Sequence, residues 1–413
     1  MQGFTSKNGA LYCEGVELEH LAKKLGTPLY VYSEGVLKNN CRQFLDAFSI
    51  HPTKICYAVK ANYNLSILKK VFQFGLGADV VSLGELERAL KSGVSKDKIV
   101  FSGVGKTAEE LERAISLGIA SLNIESQFEL EIIKKITEKK RQNISIALRV
   151  NPNIDVKTNP YIATGLYETK FGIPDEELEA IAESVKDHPF VHLEGLACHI
   201  GSQITELKSF ESAAMRLREL AYRMKKNGFP IRRVDLGGGL GISYKPNERV
   251  PSIQEYAKTI LGVIKDAPFE LVLEPGRSIV GNSGALLTTV LGTKEHKNRH
   301  FTIVDAAMND LIRPCLYEAY HEIVPVREKT ASEVVTDIVG PVCETGDFLG
   351  LSRTLGSPDS GELLLIKNSG AYGTTMSSNY NSRPRCAEVL VSGNEVTVIR
   401  RRESLNDLWH HEI

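Results

Sequence analysis

Long apolar runs are missing from this 413-residue chain. None reaches the roughly 20 residues needed to cross a bilayer, and the opening, Met1-Gln2-Gly3-Phe4-Thr5, lacks the basic stretch and apolar core of an export signal. Charge of one sign is missing too. Fifty basic residues stand against 51 acidic ones, a formal charge of -1, so no global field recruits nucleic acid or an anionic membrane. CxxC and HExxH spacings do not occur among the seven cysteines and ten histidines, so no metal site is expected. An odd number of cysteines cannot all pair within one chain, and a reducing compartment suits them. These absences favour a cytoplasmic protein that works on small molecules, with neither nucleic acid nor membrane as partner. What is there, 42% hydrophobic and 24% charged residues, suffices for a globular chain of two domains.

Short apolar runs alternate with amphipathic stretches from residue 55 to 277. The runs are Ile55 to Lys60, Ala78 to Ser82, Ile99 to Ser102, Ser121 to Glu125, Ile144 to Val150, Leu193 to Ile200, Arg233 to Leu236 and Phe269 to Glu274. Segments between them, such as Glu109 to Leu117 and Phe210 to Lys225, carry helical spacing. Eight such units predict a (β/α)8 TIM-type barrel over residues 33–280, with an open doubly wound sheet as the alternative. Beyond 280 the grammar changes. Phe301 to Val304, Glu333 to Val339, Glu362 to Lys367 and Glu388 to Val391 read as strands between Gly, Asn and Pro turns. Residues 281–413 are expected to form a β-rich second domain that also takes in the strand-like segment 1–32, notably Leu29 to Tyr32.

Barrels of this kind place chemistry at the carboxyl ends of their strands, and the polar residues comply. Lys60, Asp79, Arg149, His199, Gly237 to Gly239 and the run Glu274-Pro275-Gly276-Arg277 all sit at or near a run's end. If the first strand runs through Lys60, then Cys56, Ala58 and Lys60 share one face. That face suits a barrel mouth, where a lysine amine can condense with an aldehyde cofactor; a strand-end lysine reaching for water is the other reading. Gly237-Gly238-Gly239 lets bare backbone approach a phosphate, or serves as a tight turn, and it lacks the third glycine of a dinucleotide fingerprint. Glu274 ends an apolar strand and needs a cationic partner, either Arg277 or a ring nitrogen. His199 is either a satisfied core histidine or a flat base on a heteroaromatic ring, and Ser202 can donate to phosphate.

The segments YAVKAN, HIGSQ, DLGGGLGI and EPGR, with Arg313-Pro314 and Tyr317 and the run Cys343-Glu344-Thr345-Gly346-Asp347, resemble the diaminopimelate decarboxylase family of fold type III pyridoxal 5'-phosphate enzymes. The resemblance spans most of the chain. It implies that Lys60 carries the covalent link to the cofactor, His199 stacks on the pyridine ring and Glu274 holds its nitrogen. Asp79, Ser202, Gly237, Gly238, Gly239, Gly276, Arg277 and Tyr372 complete the implied cofactor contacts. Arg277, Arg313, Tyr317 and Tyr372 would take the substrate, with Glu344 near its distal amine. Cys343 would reach across from a neighbouring chain as proton donor, which implies a homodimer with shared active sites. Thr345, Ala307 and Ser243 depart from the family's commoner serine, glycine and proline.

The implied reaction is decarboxylation of meso-2,6-diaminopimelate to L-lysine, the last step of lysine biosynthesis. Paired arginines, Arg277 and Arg313, suit a distal carboxylate and repel the distal cation of ornithine or of an arginine-derived amine. The alternatives are an ornithine- or arginine-type decarboxylase, an alanine-racemase-like activity, and a non-catalytic cofactor-binding regulator.

Overall fold

The computed structural model describes residues 3–154, 159, 162, 164, 170–329 and 332–413; of the segment 1–32, residues 1 and 2 therefore lie outside the described residues. The chain forms two compact units. One comprises Met1–Asn39, Ser243–Arg249 and Ile279–Ile413, the other Asn40–Ile242 and Val250–Ser278.

The second of these is a closed barrel of eight parallel strands. In chain order they are Thr53–Ala58, Gly77–Val80, Ile99–Phe101, Ser121–Ile124, Ile144–Arg149, Val191–Ala197, Arg233–Asp235 and Glu270–Leu273. The ring closes where the eighth strand pairs the first, Leu271 with Thr53 and Leu273 with Ile55. Parallel strands covered on both faces need apolar side chains throughout, which is why they read as continuous runs rather than alternations. Cys56, Val100 and Val272 come from the first, third and eighth strands and meet as a small cluster of their own. The surrounding helices bury a stripe at three- and four-residue spacing: Leu207–Lys226 turns Phe210, Ala213, Ala214, Leu217, Leu220, Ala221 and Met224 inward. Each large apolar side chain so buried contributes about 1.5–3 kcal/mol. Side-chain caps start several helices, among them the Thr107–Glu110 and Ser252–Glu255 capping boxes.

One expectation is corrected here. The first strand stops at Ala58, and Lys60 sits on a one-turn 3₁₀ helix, Val59–Ala61, so the face shared by Cys56 and Ala58 does not extend to it. The Ala58 N–H donates to the Pro275 carbonyl and the Asn62 N–H to the Val59 carbonyl, which ends strand pairing and turns the chain.

The other unit is β-rich. Phe4–Lys7, Ala10–Cys13 and Val16–Glu17 make a small antiparallel sheet. A nine-stranded sheet runs in the order Phe348–Gly356, Glu333–Val339, Arg299–Val304, Gly284–His296, Leu29–Ser33, Ala387–Ser392, Glu395–Arg400. Leu363–Ile366 pairs with Gly284–His296 and with Ile323–Pro325 off that path. The N-terminal strand Leu29–Ser33 thus lies inside the C-terminal sheet, between Gly284–His296 and Ala387–Ser392. Alternate residues Leu29, Val31, Ala285, Leu287, Val389 and Val391 face one core.

Candidate functional site

At the carboxyl ends of the barrel strands lies a cavity of about 400 Å³, with Lys60, Asn123, Arg149, His199, Asp235 and Glu274 in its wall. The Lys60 Nζ donates to Asp79 Oδ2 at 2.6 Å, from a side chain about one-third exposed to one wholly buried. The 3₁₀ turn lifts the lysine out of the ladder and over the next strand's end. The second oxygen, Asp79 Oδ1, is buried and has no donor among the described residues. A buried acceptor in that state costs about 1–3 kcal/mol unless something else supplies a proton.

Two more carboxylates converge there. Asp235 Oδ1 accepts from the Gly237 N–H at 2.9 Å and Oδ2 from the Asn123 amide at 3.1 Å. Glu274 Oε1 accepts from Ser102 at 3.2 Å and from Asn123 at 3.5 Å. Burial pushes the Glu274 carboxyl well above its usual range, and the neighbouring Asp235 and Asp79 push it further, with Lys60 opposing. Burial also raises Asp235, to about 6, against the hydrogen bonds from Gly237, Glu274 and Asn123. Glu274 and Asp235 therefore share a proton that Glu274 holds and Asp235 accepts. Three clustered acids with one shared proton beside one lysine leave the pocket floor net negative, which favours a protonated heteroaromatic nitrogen placed against it.

His199 follows the sixth strand, and the Gly238 N–H donates to its Nδ1 at 3.3 Å. Burial, then Arg149 and Lys60, hold its pKa well below the ordinary value. The ring is therefore neutral with its proton on Nε2, a flat and uncharged surface. Arg149 is in turn engaged by Glu125 at 2.7 Å and stacks over Phe171. Three residues beyond His199, Ser202 Oγ accepts from Arg277 Nη2 at 3.0 Å.

The glycine cluster meets a packing demand of its own. A Cβ at Gly238 would stand 2.2 Å from the Glu274 carbonyl oxygen, and one at Gly239 would stand 2.5 Å from that of Gly201. Gly237 and Gly238 spend their N–H groups on Asp235 and His199, so Gly239 alone of the three keeps an N–H that no described residue takes. Gly276 packs against Ala58 and Ala61, each about as near as a Cβ tolerates.

The barrel unit thus brings Lys60, His199 and Glu274 to one cavity, with Asp79 buried behind Lys60 as its ion-pair partner, and Ser202 to Arg277. Arg313, Tyr317, Cys343, Glu344 and Tyr372 belong to the β-rich unit. Arg313 is buried and begins the short helix Arg313–Tyr317, which Tyr317 ends. Tyr372 takes a left-handed backbone, φ 55°. Cys343 is exposed, its N–H donating to Asn381 at 3.1 Å, and Glu344 accepts from Tyr380, whose pKa it raises. Ala307 does not take a left-handed backbone, so alanine there is unstrained. The residues that sequence reasoning passed over are Asp235, Asn123 and Ser102. Asp235 stood at a strand end inside the glycine motif, which marks its position but not the proton it shares with Glu274.

Two HxxxH spacings do occur, His188 with His192 and His296 with His300. His188 Nδ1 accepts from the Phe190 and Val191 N–H groups, and among the described residues no group of three or more His, Cys, Asp or Glu is placed to hold a metal. No described helix is long and apolar enough to cross a membrane.

The family model described as pyridoxal-dependent decarboxylase, pyridoxal binding domain, matches residues 34–281. A diaminopimelate decarboxylase of Aquifex aeolicus is 46% identical over 398 residues, covering 96% of this chain and 94% of the relative. A crystal structure of the M. jannaschii diaminopimelate decarboxylase with L-lysine superposes with a TM-score of 0.95 at 37% identity, covering 100% of this chain and 98% of that one. The Helicobacter pylori enzyme, also with L-lysine, gives 0.92 at 41% identity over 96% and 99% of the two chains. The chain belongs to the pyridoxal-dependent decarboxylases and, within them, to the diaminopimelate decarboxylase family.

Proposed function

We propose that this chain decarboxylates meso-2,6-diaminopimelate to L-lysine, with pyridoxal 5'-phosphate as its cofactor. The observation that carries the proposal is the lysine-and-carboxylate cavity at the mouth of a barrel matched by a pyridoxal-binding family. The residues present fit the cofactor. Lys60 offers an amine, Asp79 an unsatisfied buried oxygen, His199 a neutral flat ring, and Glu274 with Asp235 a shared proton. When bound, pyridoxal 5'-phosphate supplies an electron-withdrawing ring that takes up the electron pair left by the departing carboxylate.

Lys60 is the covalent attachment point. Glu274, with the proton it shares with Asp235, would keep the cofactor's ring nitrogen protonated, and Asp235 and Asp79 would add to the negative field there. His199, held neutral, would offer a flat face to the ring without competing for protons. Ser202, the Gly239 N–H, Gly276 and Arg277 take the phosphate region together with Tyr372; Gly237 and Gly238 act by shaping the loop. Arg277, Arg313 and Tyr317 take the distal carboxylate, Glu344 the distal amine, and Cys343 delivers a proton to the carbon that has lost its carboxylate.

Cys343 and Glu344 act across the interface of a homodimer. Their exposure supports this, as does the exposure of Leu291, Val335 and Leu351 on strands of the large sheet. Seven unpaired cysteines support a cytoplasmic location. Substrate choice follows from charge, since a second arginine attracts a distal carboxylate and repels a distal cation. The test is incubation of purified protein and cofactor with meso-diaminopimelate, ornithine and arginine separately, measuring carbon dioxide and amine product. Carbon dioxide from diaminopimelate alone is expected. Release from ornithine or arginine instead overturns the substrate, and release from none of them leaves a non-catalytic cofactor-binding protein.

A further inference from the structure

Arg313 does not hold its own orientation. Its Nη1 donates to His321 Nε2 at 2.7 Å, and its guanidinium lies 4.7 Å over the ring of Tyr244. The opposite nitrogen, His321 Nδ1, meets the Lys367 carbonyl at 2.8 Å. Guanidinium only donates and carbonyl only accepts, so these two contacts admit one tautomer: Nε2 bare and the proton on Nδ1. We infer that His321 is a positioning residue for substrate specificity, fixing the Arg313 fork for the distal carboxylate and doing so only while its imidazole is neutral. This rests on the role given to Arg313 under the proposed function.

The fold determines where His321 stands. It lies two residues before Ile323–Pro325, and Lys367 one residue after Leu363–Ile366; these strands are antiparallel, with Ile323 opposite Ile366. The Lys367 N–H donates to the Glu322 carbonyl at 2.9 Å and extends that ladder by a step. The histidine's acceptor therefore comes from a paired backbone rather than a loop. Tyr244 is tied to the same place, because the Asn368 amide donates to the Ser243 carbonyl at 2.9 Å, and its ring meets His321 edge-on at 5.1 Å. His321 is fully buried and Arg313 nearly so. Burying a cation costs heavily unless its contacts are well made, and the imidazole and the aromatic face supply two of them here.

Protonation breaks the arrangement, because a proton on Nε2 sets an N–H against the guanidinium and adds a second positive charge. Among the described residues, the charged and titratable groups placed at the imidazole or at its carbonyl partner include Arg313 on its helix, Tyr244, and Glu322 and Lys367, whose side chains pair at 3.1 Å. Tyr320, next in sequence, is covered by Arg353 and Lys245.

The test measures binding of L-lysine and cadaverine to the holoenzyme by calorimetry across pH. L-lysine retains the carboxylate that Arg313 takes, and cadaverine is the same chain without it. His321→Phe keeps a ring against Tyr244 and removes both nitrogens. It is expected to weaken L-lysine about tenfold or more while changing cadaverine less than about twofold, as loss of one charge-assisted contact implies. His321→Gln keeps an acceptor for Arg313 and a donor for Lys367 but does not titrate. It is expected to bind L-lysine as the parent does and to lack the acid-side weakening that the parent shows. Equal effects of His321→Phe on both ligands, no effect on either, or a His321→Gln variant that keeps the parent's acid limb would each overturn the inference. If His321→Phe does not fold, the His321→Gln pH profile decides alone. A parent enzyme that releases no carbon dioxide from diaminopimelate refutes the proposed function itself, whereas an active parent indifferent to His321 refutes only this step.

Discussion

Asp235→Asn is expected to stabilise the cofactor-free protein relative to its parent as pH rises while lowering the activity of the loaded enzyme. In the folded chain burial raises Asp235 from 3.8 to about 6. Folded protein thus binds more protons than unfolded protein between those values, and stability must fall as pH climbs through that window. About two pKa units at about 1.4 kcal/mol each give a loss of about 3 kcal/mol. Asparagine does not titrate, and its presence also removes a charge that raises Glu274, so the variant's loss over the window is smaller by at least that amount. It does carry a pH-independent penalty. Gly237 and Asn123 both donate to Asp235, and an amide can accept from only one of them without turning its own donor on the other, at about 1–3 kcal/mol. The slope with pH is therefore the diagnostic, not the absolute stability. Urea unfolding of both proteins without cofactor, from about pH 4 to about pH 7, reads it directly. For activity, removing one unit charge from the pocket floor, at an effective dielectric of about 20 and separations of about 5–10 Å, changes the energy of a cation held there by about 2–3 kcal/mol, an upper limit of about 100-fold in kcat. Parallel pH slopes for parent and variant refute the shared-proton account, whatever the activity does.

Lys60→Ala should lose the visible absorbance of bound cofactor together with all carbon dioxide release; a retained band in an inactive protein shifts the attachment elsewhere. Arg313→Ala should raise KM for diaminopimelate by about 100-fold, the worth of a lost two-pronged charged contact, and narrow its preference over substrates lacking the distal carboxylate. Unchanged turnover with unchanged discrimination removes the charge argument for specificity. Mixing and reassembling Lys60→Ala with Cys343→Ala chains should restore about a quarter of the parent rate if active sites are shared between two subunits, and none if each chain is complete. Gly238→Ala, whose methyl would meet the Glu274 carbonyl oxygen, should cost about 1–3 kcal/mol or more of stability, measured as a lowered Tm.

The barrel was legible because parallel strands buried on both faces must be apolar along their length, so eight runs stood out without any pairing information. Their ends were less legible. Lys60, Ser102 and Glu125 each follow the last paired residue, and a polar residue that leaves the ladder looks in sequence like one more strand position. For Lys60 this mattered, since the alternation of faces was carried two residues beyond the point where the strand ends in a 3₁₀ turn. Leu29–Ser33 was legible as a strand by composition, and because it precedes the first barrel unit it was expected with the C-terminal sheet, where it pairs Gly284–His296 and Ala387–Ser392. What sequence could not show was which strand ends converge. Asn123 lies 112 residues from Asp235 and 151 from Glu274, yet its single amide reaches both, and no local pattern encodes a contact that only barrel closure creates. His321 was invisible for a related reason, since a lone histidine acquires its tautomer only once two strands set a carbonyl on one side and a short helix sets an arginine on the other. Both cases follow one physical rule. Residues proposed to contact a ligand carry chemical signatures and can be named from sequence, whereas residues that set the charge state or the orientation of those groups are defined by distance and need the fold. In this chain the rule divides the candidate site: Lys60, His199 and Glu274 were named from their own motifs, and Asp235 and His321, which meet a shared proton and an arginine, were not.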